Sequence, residues 1–286
     1  MRIIVNLVVA VLIISWSSIL IRWMGDVHPL LITFYRLIFS SIALLPFVVA
    51  DLKSTLIKSK SIKYHLLLAG FFLCMHFFTW ISSLQLTTVG NSIFLESTHP
   101  LFGWILSILI LKEKASKALL PALLLGILGM YLIIAGDFHG QGNPKAFIGD
   151  LLALVSAFCI AAYLIIARIL RQELSILPYL FMVYSIAAIF TLALVFAYGL
   201  SLWDLPASAW LFLILLALGP NLIGHSLLNW ASRHIPVYRV NMALLSESVL
   251  ATIYAAILLD EIPHTLFYVG ALLIIGAIVS VFRVRR

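Results

Sequence analysis

Charge is what this sequence has least of. Asp, Glu, Lys and Arg make up 10% of its 286 residues, against 64% hydrophobic ones. A water-soluble domain carries roughly 25% charged residues. This chain has too little polar surface for water to dissolve it, so lipid is expected to be its solvent. Cysteine is nearly absent as well. Cys74 and Cys159 both sit in apolar runs, which excludes a disulfide scaffold and reads as two reduced, small hydrophobes. There is no Cys/His spacing suited to a metal, no glycine-rich phosphate loop and no nucleophile elbow. The connectors are short and hold no cluster of His, Asp or Ser at catalytic spacing, so the chain is not expected to be an enzyme. No cofactor or metal is implied.

What the sequence has instead is long apolar runs. A bilayer crossing takes roughly 20 apolar residues, and ten such segments stand out: about 3–24, 29–50, 65–86, 90–111, 119–136, 148–169, 177–199, 208–231, 238–259 and 265–282. Turn signals separate them, among them Gly25 to Pro29, Gly140 to Pro144, Trp203 to Pro206, and Ile262-Pro263. The first run continues past Trp16 to Trp23 without a small-residue cleavage site, which predicts a retained span and not a signal peptide.

The bases set the orientation. With the N-terminus on the cytoplasmic side, fifteen of the 18 Lys and Arg fall on that side: Arg2, the Lys53–Lys63 loop, Lys112 to Lys117, Arg168, Arg171, Arg233, Arg239 and the C-terminal arginines. Lys145 alone falls clearly outside, while Asp26, Asp137, Asp204, Asp260 and Glu261 gather there. The positive-inside rule then predicts both termini in the cytoplasm and a multi-pass protein of the plasma (inner) membrane. The net charge of +7 is thereby directed at anionic lipid heads, not at nucleic acid.

The second half of the chain repeats the first. Trp80 and Asn91 recur as Trp230 and Asn241, each 150 residues on, and Leu111-Lys112-Glu113 recurs as Leu259-Asp260-Glu261. The first copy ends in lysines and the second in acids. Five spans per copy is an odd number, so a tandem duplicate must be inserted upside down. The expected fold is an all-α membrane protein of ten transmembrane helices built as two inverted five-helix repeats, residues 1–137 and 146–286. That build is the one used by secondary transporters that rock around a site near the midplane.

These residues also carry a family likeness. Ser15-Trp16-Ser17-Ser18, His28-Pro29 with Tyr35-Arg36, Trp80 with Ser83-Leu84 and Thr87, His99-Pro100 and Leu111-Lys112-Glu113 form one set. Gly224-His225-Ser226, Asn229-Trp230, Glu247-Ser248 and Leu259-Asp260-Glu261 form the other. Together they resemble the ten-helix, EamA-type permeases of the drug/metabolite transporter superfamily over essentially the whole chain. One departure stands in the ninth span, where Glu247-Ser248 replaces the Glu-Pro common in similar sequences. The resemblance implies an exporter or exchanger of small polar or amphipathic metabolites. It also implies a cavity wall drawn from Trp16, His76, Trp80, Glu96, His99, Tyr163, His225, Asn229 and Glu247. Implied partners are a small-molecule substrate, a coupling proton and membrane lipids, with the chain a monomer or weak dimer.

The residues support a polar centre on their own account. Side chains that are charged or hydrogen-bonding cost at least about 2.5–3.5 kcal/mol in hydrocarbon, so they face the bundle interior. His76, Trp80, Ser83 and Thr87 make one helical stripe; Ser92, Glu96, His99 and Gly103 make a second; Asn221, His225, Asn229 and Ser232 make a third. Arg36 and Glu96 lie at similar depth, which makes a pair geometrically feasible and mainly structural in role. Glu247 has no base at its depth in its own repeat, which leaves two readings open: a site for a proton or a cationic substrate, assisted by His225 or His99, or a buried carboxylic acid hydrogen-bonded to a neighbouring backbone. For His76 and His225 two readings are open, a cavity wall or hydrogen bonds joining helices. For His99 the second reading is a bond to the carbonyl that Pro100 frees. Asn91 and Asn241 are expected to be helix caps, and Pro100, Pro178 and Pro220 to be kink points.

Overall fold

A computed structural model describes residues 2–51, 62–112, 120–140, 144–232 and 237–283. Those residues are helical and contain no strand. In chain order the helices are α1 (Arg2–Ile14), α2 (Ser17–Trp23), α3 (Pro29–Val48), α4 (Lys63–Leu86), α5 (Val89–Glu96), α6 (His99–Leu111), α7 (Leu120–Gly140), α8 (Pro144–Glu173) and α9 (Ile176–Ala197). They continue with α10 (Ala207–Leu216), a π-helical segment Ala217–Gly224, α11 (His225–Ser232), α12 (Val237–Leu258) and α13 (Thr265–Arg283). Among the described residues, seven segments are long and apolar enough to cross a bilayer, with shorter apolar helices at Leu124–Ala135, Ser246–Leu258 and Thr265–Ala277. The chain is a multi-pass membrane protein.

Two of the expected spans are each broken in the middle. The first splits into α1 and α2 at Ser15-Trp16, where the Ser15 hydroxyl donates to Val11 O at 2.7 Å and competes with the backbone ladder. The fourth splits into α5 and α6 at Ser97-Thr98. Thr98 turns its hydroxyl back onto Leu95 O at 2.6 Å, and Pro100 has no N–H to offer Glu96 O. Pro220 acts differently: the helix widens around it into the π turn. There the Ser40 hydroxyl donates to Ala217 O at 3.1 Å. Pro178 and Pro46 leave α9 and α3 unbroken. Pro178 lies in the first turn of its helix, where the missing N–H has no partner to lose.

Other expectations need correction at helix ends. Asn91 is not a cap, because Thr88 Oγ1 accepts from Asn91 N at 3.2 Å and caps α5 itself. Asn241 lies inside α12, which begins at Val237. Lys112 and Asp260, which occupy the same place in the two copies of the Leu-Lys/Asp-Glu motif, both adopt the left-handed region, at φ 53° and 55°. They stop α6 and α12 by the same local device.

Close packing depends on small residues. α4 runs along α8, α3 along α9, and α7 along α13. At the last crossing a Cβ on Gly129 would lie 2.7 Å from Gly270 O, and one on Gly270 would lie 2.7 Å from Gly129 O. Two backbones therefore touch where neither residue has a side chain. The main core joins Ile19, Leu30, Leu37, Phe77, Ile81, Leu84, Val183 and Leu213 across α2, α3, α4, α9 and α10. Cys74 and Cys159 are free and buried.

Candidate functional site

The helix breaks gather polar groups at the centre of the bundle. At the α5–α6 break Glu96 Oε1 lies 3.8 Å from His99 Nδ1, and both side chains are partly buried. The same His99 nitrogen stands 3.3 Å from Glu96 O. That is the carbonyl freed by Pro100, which His99 satisfies in the tautomer protonated at Nδ1. Next to it, the hydroxyls of Ser97 and Ser248 meet at 2.6 Å, joining α5–α6 to α12 one residue from Glu247. Gly103 completes this face of α6, where an added Cβ would meet open space.

Arg36 does not pair with Glu96 as its depth suggested. It is 1% exposed on α3. Its Nε donates to Asn221 Oδ1 at 3.0 Å. Its guanidinium lies 3.9 Å from the Phe77 ring centre and 5.6 Å from that of Trp80. Asn221 is itself fixed, because its Nδ2 donates to Ser40 Oγ at 2.8 Å. Glu247 also differs from expectation. Its own repeat offers no base at its depth, but Arg36 arrives from the other half, close enough for the two charges to interact. Glu96 and Glu247 feel one another too, and His76 feels Arg36, His99 and His225. Six ionisable groups from both halves thus form one electrostatic cluster in a medium where charge is weakly screened.

Other predicted residues divide by their contacts. His76 is held by α8: its Nδ1 lies 2.8 Å from Ser156 Oγ, and that hydroxyl is 3.2 Å from His76 O. Its ring stacks parallel to Trp80 at 6.4 Å. Ser83 donates to Ser92 at 2.8 Å, and Thr87 donates to Asp150 at 2.8 Å. Much of the α4 stripe is therefore engaged in helix–helix bonds. Trp16 lies at the α1–α2 break, 37% exposed, with Tyr254 at 5.2 Å and Trp23 at 5.9 Å. Tyr163 is buried in the main core with Tyr179 and Tyr184. His225 opens α11 directly after the π segment. Asn229 lies on α11, and its side chain is outside the described residues.

Three contributors escaped sequence reasoning: Asn221 as the partner of Arg36, Ser40 behind it, and Asp150. The last is fully buried. Asn221 lies on its helical stripe in the sequence, but nothing local pairs it with a residue 185 positions away.

Comparison with known proteins bears on the family and the fold. The model of the EamA-like transporter family matches the chain twice, over residues 1–135 and 147–283. The S-adenosylmethionine uptake transporter of Rickettsia prowazekii is 26% identical over 268 residues, 92% of this chain and 86% of that protein. An uncharacterized transporter of Archaeoglobus fulgidus is 25% identical over 96% of this chain and 94% of its own length. Uncharacterized transporter sll1164 of Synechocystis is 27% identical over 70% of this chain. The match spans only 59% of that last protein. One crystal structure shares the fold with a TM-score of 0.67 at 18% identity, covering 98% of this chain and 96% of its own. The chain belongs to the EamA-like transporter family of the drug/metabolite transporter superfamily.

Proposed function

We propose that this transporter is a secondary exporter or exchanger of small amphipathic metabolites, amino acids or related compounds. Its two halves rock around a site at the centre of the bundle. One observation carries the reading: Glu96 and His99 from one half and Glu247 from the other converge beside a broken helix, with Arg36 within electrostatic reach. Carboxylates, one fixed cation and the ring faces of Trp80, Trp16 and Tyr254 suit a substrate that carries a charged amine on an apolar body. Glu247 is the proposed site of a proton or of the substrate's cation.

The inverted ten-span build is part of the same reading. One contact joins near-counterparts of the two halves: Ser97 with Ser248 at 2.6 Å. The two are separated by 151 residues, near the 150-residue repeat of the sequence. Self-pairing of this kind is expected along a two-fold axis. The bases support cytoplasmic termini in an inner membrane.

Import is the second reading, favoured by one specific observation. Relatives from two Rickettsia species, 26% and 27% identical over 92% and 91% of this chain, are named S-adenosylmethionine uptake transporters. A sulfonium-bearing amino acid carries a cation and an amine of the kind this centre suits.

The test is transport into proteoliposomes by wild type and Glu247→Gln, using amino acids, nucleosides and S-adenosylmethionine, at two pH values. A carrier that moves one of these compounds should lose most of its rate, or its pH dependence, in the variant. Unchanged rate and pH dependence would remove Glu247 from the site.

A further inference from the structure

The end of the bundle where α2, α4 and α12 terminate carries a second charged arrangement, away from the centre. Arg22, near the end of α2, pairs with Glu261, in the connector between α12 and α13. Neither charge acts alone. Arg22 Nη2 donates to Thr87 O at 3.0 Å, and Glu261 Oε2 accepts from Val89 N at 2.7 Å. Thr87 ends α4 and Val89 begins α5. The cation therefore sits on the negative end of one helix and the anion on the positive end of the next. The pair straddles the two-residue linker Thr87-Thr88.

This pair is built to part. Glu261 lies on a non-helical connector, so it can move without breaking a helix ladder. The groups it and Arg22 satisfy are helix-terminal N–H and C=O, which water takes over when the contact opens. Both side chains are only partly buried, at 25% and 18% exposure. The contact also joins the two halves of the chain, 239 residues apart. Just below it lies Ser92, fully buried and bonded to Ser83, and one helical turn further in is Glu96.

We propose that Arg22 and Glu261 form a latch on the Thr87-Thr88 linker, which holds this end of the bundle shut and parts each time the centre opens toward it. This rests on the alternating-access reading above. The orientation drawn from the bases makes this the outer side.

The experiment uses the full-length chain with Cys74→Ala and Cys159→Ala, reconstituted in vesicles. Ser92→Cys reports the space beneath the latch, and Gly103→Cys reports the face of α6 beyond Glu96. A membrane-impermeant thiol reagent is applied to either side. With Glu261→Gln or Arg22→Gln, labelling at Ser92→Cys from the latch side is expected to rise roughly five- to tenfold, the population shift that follows loss of one ion pair. The charge-exchanged double variant Arg22→Glu with Glu261→Arg should return that labelling to the parental rate. Melting temperatures establish that each variant is folded. Parental labelling in both single variants, with Gly103→Cys labelled from the other side, overturns the latch and leaves alternating access standing. Failure of the double variant to restore protection overturns the pairing. If neither reporter is labelled from either side in any variant, alternating access falls, and the latch with it.

Discussion

The Ser97 hydroxyl meets the Ser248 hydroxyl at 2.6 Å, and each serine follows a glutamate of the central cluster. The bond ties the break in one half of the chain to the intact α12 of the other. Interhelical hydrogen bonds in membrane proteins average about 0.6 kcal/mol in double-mutant cycles. Ser97→Ala and Ser248→Ala should each destabilise by a similar amount, and the double variant should cost no more than either single one. Thermal unfolding in detergent measures the cycle; additive losses would show that the two hydroxyls act independently.

Asn221 should matter to stability more than its size suggests. Removing the partner of a buried charge leaves desolvation uncompensated, and a hydrogen bond to a charged group is worth about 1.5–3 kcal/mol. Asn221→Ala is expected to lose that much. Arg36→Met removes the charge along with its need for a partner and keeps the contact with Phe77, so it should be better tolerated in a melt. Transport by Arg36→Met should nevertheless be lost, because the cation whose charge reaches Glu247 is then gone.

Gly129 and Gly270 leave no room for a methyl group. Each Cβ would stand 2.7 Å from the other residue's carbonyl oxygen, and a backbone cannot rotate away as a side chain can. Either Gly→Ala change should cost about 1–3 kcal/mol through separation of α7 from α13. The readout is melting temperature. Gly103→Ala, with open space around its Cβ, is the matched control and should be neutral or slightly stabilising.

Gly224 tests the other kind of crowding. Its Cβ would lie 2.4 Å from Ile14 Cγ1, a side-chain atom of α1. Gly224→Ala should therefore destabilise, and Ile14→Ala in the same chain should recover part of the loss. No recovery would locate the cost in the π segment instead.

His28 gives the fold a dependence on pH. Its Nδ1 accepts from Leu30 N at 3.2 Å and caps α3, a role only the neutral ring can fill. Burial holds the ring below its ordinary pKa. The unfolded chain, with a value of about 6.5, then takes up the proton first. The contribution is complete above that pH and is lost as pH falls through the folded value. Melting temperature should drop on acidification in wild type and drop less in His28→Asn, which keeps a cap at every pH.

Helix positions were legible in the sequence because hydrocarbon demands an unbroken apolar run, and the run ends where a Gly, Pro or charge appears. Observed helices such as Pro29–Val48 and Ile176–Ala197 lie within a few residues of the expected ones. The family was legible because paired motifs recur in order in both halves. The breaks at Ser15-Trp16 and Ser97-Thr98 were not, since a serine or threonine bends a helix only when its hydroxyl turns back onto the ladder. Pro100 marked one break and nothing marked the other.

Partnerships at the centre were the least legible. Depth alone put Arg36 with Glu96 and left Glu247 without a base, because that comparison stayed within one repeat. In the folded chain Arg36 turns to Asn221, 185 residues away, and its charge reaches Glu247. Composition, apolar length and charge placement are additive along the chain, so the sequence by itself determined a helical membrane protein, its helix positions and its family. Which side chain satisfies which buried charge depends on the crossing of distant helices, set by packing at sites such as Gly129–Gly270 and Gly224–Ile14. That pairing only the tertiary structure decided.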